Sequence, residues 1–173
     1  NYIINNGLDE EDAANLLNSG RTYNYYTYDN QVDDYQQDYY QLLTSTSLST
    51  NWIASLNFHY TKGKGFYEEF KKGQSLQDYL IDPVITTNDT INESDLIRRK
   101  WLDNDFYGAT WNITGNIGSN SKLLFGGAAN QYAGAHFGEV VWAQFAGTSD
   151  IRHRYYDNDA TKNDINAFVR YET

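Results

Sequence analysis

The chain has 173 residues, with 23 Asp and Glu against 13 Lys and Arg, a formal net charge of −10 and a pI near 4.5. So acidic a chain lacks the basic footprint of nucleic-acid binding. Without cysteine it has no disulfide frame, no thiolate nucleophile and no Cys-based zinc site, while a 16% aromatic content argues against disorder.

Residues 1–37 are polar and tyrosine-rich with no sustained period, and read as loop. Within them Asp9, Glu10, Glu11 and Asp12 would suit the first turn of a short helix over residues 8–18, with Gly20 to end it. Alternation begins near Asp38, where Tyr40, Leu42, Thr44 and Thr46 share one face and Gln41, Ser45 and Ser47 the other. After a turn over residues 48–51 comes the clearest strand. Trp52, Ala54, Leu56, Phe58 and Tyr60 alternate with Ser55, Asn57, His59 and Thr61.

Beyond Gly63 and Gly65 the alternation weakens, and about 40 polar residues read as a long loop. That stretch holds Pro83, a short helix starting at Ser75 and a charged run over residues 95–105. A third strand follows, with Tyr107, Ala109, Trp111, Ile113 and Ile117 on one face and Thr110, Asn112, Thr114 and Asn116 on the other. The turn Gly118-Ser119-Asn120-Ser121 leads into a glycine-rich strand over 122–132, whose facing stays open. A second polar loop over 133–160 precedes the last strand, where Ile165, Ala167, Val169 and Tyr171 alternate with Asn166, Phe168 and Arg170.

Short turns on one side, long polar loops on the other and aromatic residues near the strand ends are the plan of a transmembrane β-barrel. The strands match the ~9–11 tilted residues that span a bilayer. Their charges sit near strand ends (Lys62, Lys122) or on the polar face (Arg170), away from a lipid midplane that would penalise them. The fold class expected is therefore all-β: an antiparallel transmembrane β-barrel segment of about five strands with long polar outer loops. Five strands cannot close such a barrel, so the sheet should stand open when these residues are taken alone. The competing reading is a secreted, soluble β-sandwich that binds carbohydrate, with the apolar faces as its core.

Several stretches resemble TonB-dependent outer-membrane receptors of the Bacteroidetes type. They are Tyr23-Asn24-Tyr25-Tyr26 with the run from Asp29 to Leu42, the run from Phe58 to Glu68, the run from Asp95 to Asn104, the run from His136 to Ala143, and Tyr155-Tyr156-Asp157-Asn158. The resemblance covers nearly the whole chain from Tyr23 onward. It implies a stretch from the middle of a barrel of about 22 strands closed by a plug. All of residues 1–173 would belong to the barrel domain, the plug and its energy-coupling box lying outside them. It also implies outer-membrane localisation, contact with outer-membrane lipid, uptake of a small-molecule nutrient, and an inner-membrane energy-coupling protein acting through the plug. A ferric siderophore or similar iron chelate stands slightly ahead of haem, cobalamin and oligosaccharide.

Candidate ligand contacts lie in the two polar loops. Arg98 and Arg99 beside Trp101 form a basic and aromatic cluster suited to an anionic ligand through bidentate guanidinium geometry. The plainer reading is ion pairing with Glu93, Asp95 and Asp103. Arg152 and Arg154, next to Tyr155 and Tyr156, make a second cluster. His136 and Glu139, with Trp142 nearby, offer ligand or metal contact, or simply polar side chains facing water. Asp103-Asn104-Asp105 does not continue as a calcium loop, since Tyr107 and Thr114 stand where Asp or Asn and Glu are needed. With no nucleophile elbow, phosphate loop or HExxH helix, the expectation is transport without catalysis and without a cofactor.

Overall fold

The structure is a computed structural model that describes residues 7, 9–22, 26 and 28–173. Residues 1–6, 8, 23–25 and 27 lie outside the described residues, including the Tyr23-Asn24-Tyr25 part of the resemblance and the first residue of the short helix considered above.

Among the described residues before Asp38, a helix and the start of a strand stand where a loop was expected. Helix α1 (Glu10–Ser19) is capped by the Asp9 carboxylate, which accepts from the Asp12 N–H at 2.8 Å, and three acids occupy its first turn. Gly20 closes it at φ 55°, a conformation that costs glycine little. Strands follow in the order β1 (Val32–Ser49), β2 (Trp52–Ser75), β3 (Val84–Ile85), β4 (Thr90–Ile91), β5 (Glu93–Ile117), β6 (Ser121–Ala143) and β7 (His153–Glu172). The five long strands form one antiparallel sheet ordered β1-β2-β5-β6-β7, while β3 and β4 pair as a separate small hairpin. β1 and β7 are edges, each paired on one side only, so the sheet is open as expected.

The strands are longer than the alternation indicated. At ~3.3 Å per residue, the 25 residues of β5 reach roughly 80 Å. The two stretches read as long outer loops are mostly strand. Residues 62–75 continue β2, the charged run over 95–105 lies inside β5, residues 133–143 continue β6, and 153–160 open β7. Hydrophobic alternation stops at Tyr60, whereas backbone pairing continues because cross-strand charge pairs take over from apolar contacts. The long strands are joined outside the tight turns by residues 76–92, which start with a single 3-10 turn (Leu76–Tyr79) after Ser75, and by the shorter connection over 144–152.

The cross-strand registers fix which residues share a face. One face near the tight turns carries Leu42, Phe58, Ala109, Ala129 and Ile165 in one row across all five strands. The next row is Thr44, Leu56, Trp111, Gly127 and Ala167, and the third Thr46, Ala54, Ile113, Phe125 and Val169. β6 thus turns Leu123, Phe125, Gly127 and Ala129 to the apolar face, which settles the facing that the sequence left open. This belt is uncovered: Leu42 is 60% exposed, Phe58 46% and Val169 75%. The opposite face in the same region carries Ser55, Asn57, His59, Thr110, Asn112, Asn130 and Asn166.

Among the described residues, packing of a conventional kind occurs at the far end. There the segment 76–92 folds back on the polar face, and Leu76, Tyr79 and Ile81 bury against Leu96 and Val140, with Val84, Ala143 and Tyr155 around them.

Candidate functional site

The residues singled out in the sequence converge on the far half of the sheet, on strands rather than in loops. Arg98, Arg99 and Trp101 stand on β5, and His136, Glu139 and Trp142 on β6. Arg154 stands on β7, and Arg152 alone sits in a connection, exposed and at φ 60°. Strand alternation then divides them between the two faces.

On the continuation of the apolar face, Phe66, Trp101 and Phe137 form a row across β2, β5 and β6. Trp101 lies 4.6 Å from Phe66 and stacks on Phe137 at 5.8 Å, with its indole N–H donating to Glu139 at 3.0 Å. A guanidinium caps each end of this row, Arg99 over Phe66 at 4.2 Å and Arg154 over Phe137 at 3.9 Å. Arg99 also binds Glu68 at 2.6 Å, and Arg154 binds Asp157 at 2.7 Å. Glu68 is buried and accepts further bonds from the Tyr28 hydroxyl and the Asn30 amide. Burial pushes its carboxyl up, but the bonds from Tyr28, Arg99 and Asn30 outweigh that and hold it below its ordinary range. Trp142 lies farther along the same face, opposite Ile97 and half-exposed.

On the other face Arg98 bonds Glu69 at 2.7 Å through Nε and the Tyr79 hydroxyl at 2.8 Å through Nη1. The arginine pair is therefore satisfied, and its partners are Glu68 and Glu69 instead of Glu93, Asp95 and Asp103. Asp103, on the same face as Trp101, belongs to another set, accepting from Lys62 at 2.7 Å and Lys64 at 3.0 Å. The hydrogen bond from Lys62, helped by Lys64, holds the Asp103 carboxyl below its usual range. His136, on the same face as Arg98, meets the Tyr132 hydroxyl at 2.9 Å through Nε2 and does not join Glu139, which points to the opposite side. Among the described residues no three His, Asp or Glu side chains gather as a metal site.

Sequence reasoning missed a groove on the polar face midway along the sheet. About 500 Å³ in volume, it is lined by Gln37, Tyr39, Gln41, His59, Thr61, Asn104, Phe106 and Tyr132, from four adjacent strands. None of these side chains carries a formal charge while His59 is neutral. His59 Nε2 meets Asn130 Oδ1 at 2.9 Å, and the Tyr35 hydroxyl donates to Asn104 at 2.7 Å. The only signal for it was the polar alternation of β1 and β2. The residues that β5 and β6 contribute became placeable only once the register was known.

The chain matches no protein-family model, no curated protein and no solved structure.

Proposed function

We propose that these residues are a stretch of the wall of an outer-membrane β-barrel receptor of the TonB-dependent type, serving uptake of a small-molecule nutrient. The observation that carries this reading is the uncovered apolar belt. It runs across all five strands on one face only, and it ends on both sides in aromatic residues. Tyr40, Tyr60 and Tyr107 form one border, with Tyr40 and Tyr60 stacked at 5.8 Å, and Trp52 and Tyr171 mark the other. From Trp52 to Tyr60 the belt measures about 26 Å along the strand, close to the height of the outward apolar band of such barrels.

A water-soluble sheet would have to bury that belt, since roughly 25 cal/mol is lost for each Å² of apolar surface left in water. Among the described residues nothing packs on it. A lipid bilayer supplies the cover. The opposite face then lines the lumen, and the open edges of β1 and β7 pair with further strands of the same barrel. Beyond Tyr60 the charged rows of Lys62, Asp105, Lys64 and Asp103 begin, and they would stand in the aqueous zone outside the membrane.

Fractionation of cells expressing the full-length protein tests this. The reading predicts that it sediments with membranes, resists an alkaline wash and is released by detergent. Recovery in the aqueous supernatant would end it.

A further inference from the structure

We propose that the open edge of β7 takes an antiparallel strand of the same protein that carries two lysines, two residues apart, opposite Asp157 and Asp159. This rests on the barrel reading and names the side chains by which the neighbouring strand is recognised.

The sequence uses one tripeptide twice, as Asp103-Asn104-Asp105 on β5 and as Asp157-Asn158-Asp159 on β7. In both, strand alternation sends the two carboxylates to the face that carries the belt and the asparagine to the other. The first copy is matched by Lys62-Gly63-Lys64 on β2. Lys62 stands opposite Asp105 and Lys64 opposite Asp103, each in contact at 3.0 Å. The second copy lies on the free edge. Arg154 reaches Asp157 at 2.7 Å in a solvent-exposed pair, and Asp159 has no ion-pair partner among the described residues. The outer backbone groups of β7 are unpaired as well, so an arriving strand would satisfy the ladder and the carboxylates together.

There is room for the lysine that faces Asp159. β6 places Ala133 and Ala135 between the two tripeptides, which leaves a trough of about 390 Å³ with Asp103 and Asp105 on one wall and Asp159 and Thr161 on the other.

A second copy of this sheet does not fit the edge. Four successive antiparallel pairings make β1 and β7 run in the same direction, so copies sharing one membrane orientation could join β7 to β1 only in parallel. On the belt side β1 also presents Asp34 and Asp38, which would meet Asp157 and Asp159 as like charges.

The test treats the full-length protein in lipid vesicles with a water-soluble carbodiimide, which joins a carboxylate to an amine in contact with it. The linked peptides are then identified by mass spectrometry. Links from Asp103 and Asp105 to Lys62 and Lys64 are the internal standard. The expected new links run from Asp157 and Asp159 to two lysines, two residues apart, in one peptide from outside residues 1–173. With the standard present, no link from Asp159, or one to a lysine within residues 1–173, overturns the inference. Charge reversal gives an independent reading. Asp159→Lys should lower the urea midpoint at least half as much as Asp103→Lys does, and more than Asp164→Lys, which lies on the polar face of the same strand. An Asp159→Lys midpoint equal to that of the unaltered protein also overturns it. A protein that fractionates with membranes yet fails both measurements keeps the barrel reading and loses this one.

Discussion

The Tyr60 hydroxyl donates to the Asp105 carboxylate at 2.5 Å, diagonally across the β2–β5 ladder. This bond marks a boundary on one face of the sheet. On one side of it lie the apolar rows of Phe58, Leu56 and Ala54, and on the other the charged rows of Lys62 and Lys64 with Asp105 and Asp103. A tyrosine placed there has its ring against apolar neighbours and its hydroxyl among charges, which is the placement that interfacial aromatics favour.

The two faces of β2 should respond oppositely to charge. Leu56→Arg puts a guanidinium in the middle of the belt and should cost about 2–4 kcal/mol of stability in lipid. Asn57→Arg, one residue along, points to the polar face and should cost less than half of that. Urea unfolding of the full-length protein in lipid vesicles measures both. Equal costs would mean that the belt does not face lipid.

Acid should weaken the far half of the sheet. The Glu68 and Asp103 carboxyls are held below their ordinary values in the folded state. Their stabilisation is therefore fully present above about pH 5.5, where both are ionised even when unfolded, and is lost as pH falls through the lowered folded values. Unfolding midpoints between pH 6 and pH 3 should fall, and fall less in an Asp103→Asn/Glu68→Gln double variant. A slope unchanged in that variant would assign the effect to other groups.

Gly63→Ala should destabilise by about 1–3 kcal/mol, because the added methyl meets the Tyr35 ring and the Asn104 amide and disturbs the Tyr35–Asn104 hydrogen bond. In a Tyr35→Ala background the same substitution should cost much less. Additive costs in the double-mutant cycle would show that the ring does not lie over Gly63.

Tyr155 should behave in the opposite sense to most buried tyrosines. Its hydroxyl is buried with no hydrogen-bond partner among the described residues, its ring lies 4.7 Å from Tyr79, and burial pushes its ionisation up. Removing an unsatisfied hydroxyl recovers desolvation free energy, so Tyr155→Phe should leave stability unchanged or raise it by about 1 kcal/mol. A clear loss would reveal a partner for that hydroxyl.

The belt was legible in the sequence because period-two hydrophobicity reports any face that meets an apolar environment, and Trp52 to Tyr60 shows it residue by residue. The strand extensions were not legible by that signal, since beyond Tyr60 charged residues such as Lys62, Lys64 and Glu68 interrupt the apolar alternation. A different signal was present. Lys62-Gly63-Lys64 is charge-complementary to Asp103-Asn104-Asp105, and Glu68-Glu69 to Arg98-Arg99, and all of these pairs fit one continuous antiparallel register. Reading charges only against near neighbours paired Arg98 and Arg99 with Glu93, Asp95 and Asp103, when their partners lay about 30 residues upstream on the adjacent strand. The glycine-rich strand over 122–132 could not be oriented from its own residues, because Gly126, Gly127, Ala128 and Ala129 are small on both faces. Its register with β5 decides it.

These 173 residues hold no cysteine, so once any cysteine elsewhere in the protein is replaced, a single cysteine introduced among them opens the central claim to a direct measurement. Single cysteines at Ala54, Ser55, Leu56, Asn57, Phe58, His59 and Lys64 of the full-length protein in lipid vesicles can each carry a fluorophore, read against a quencher confined to the acyl chains. The account predicts strong quenching at Ala54, Leu56 and Phe58, weak quenching at Ser55, Asn57 and His59, and none at Lys64. Quenching without that period of two, or none at any position, would contradict a membrane-facing belt.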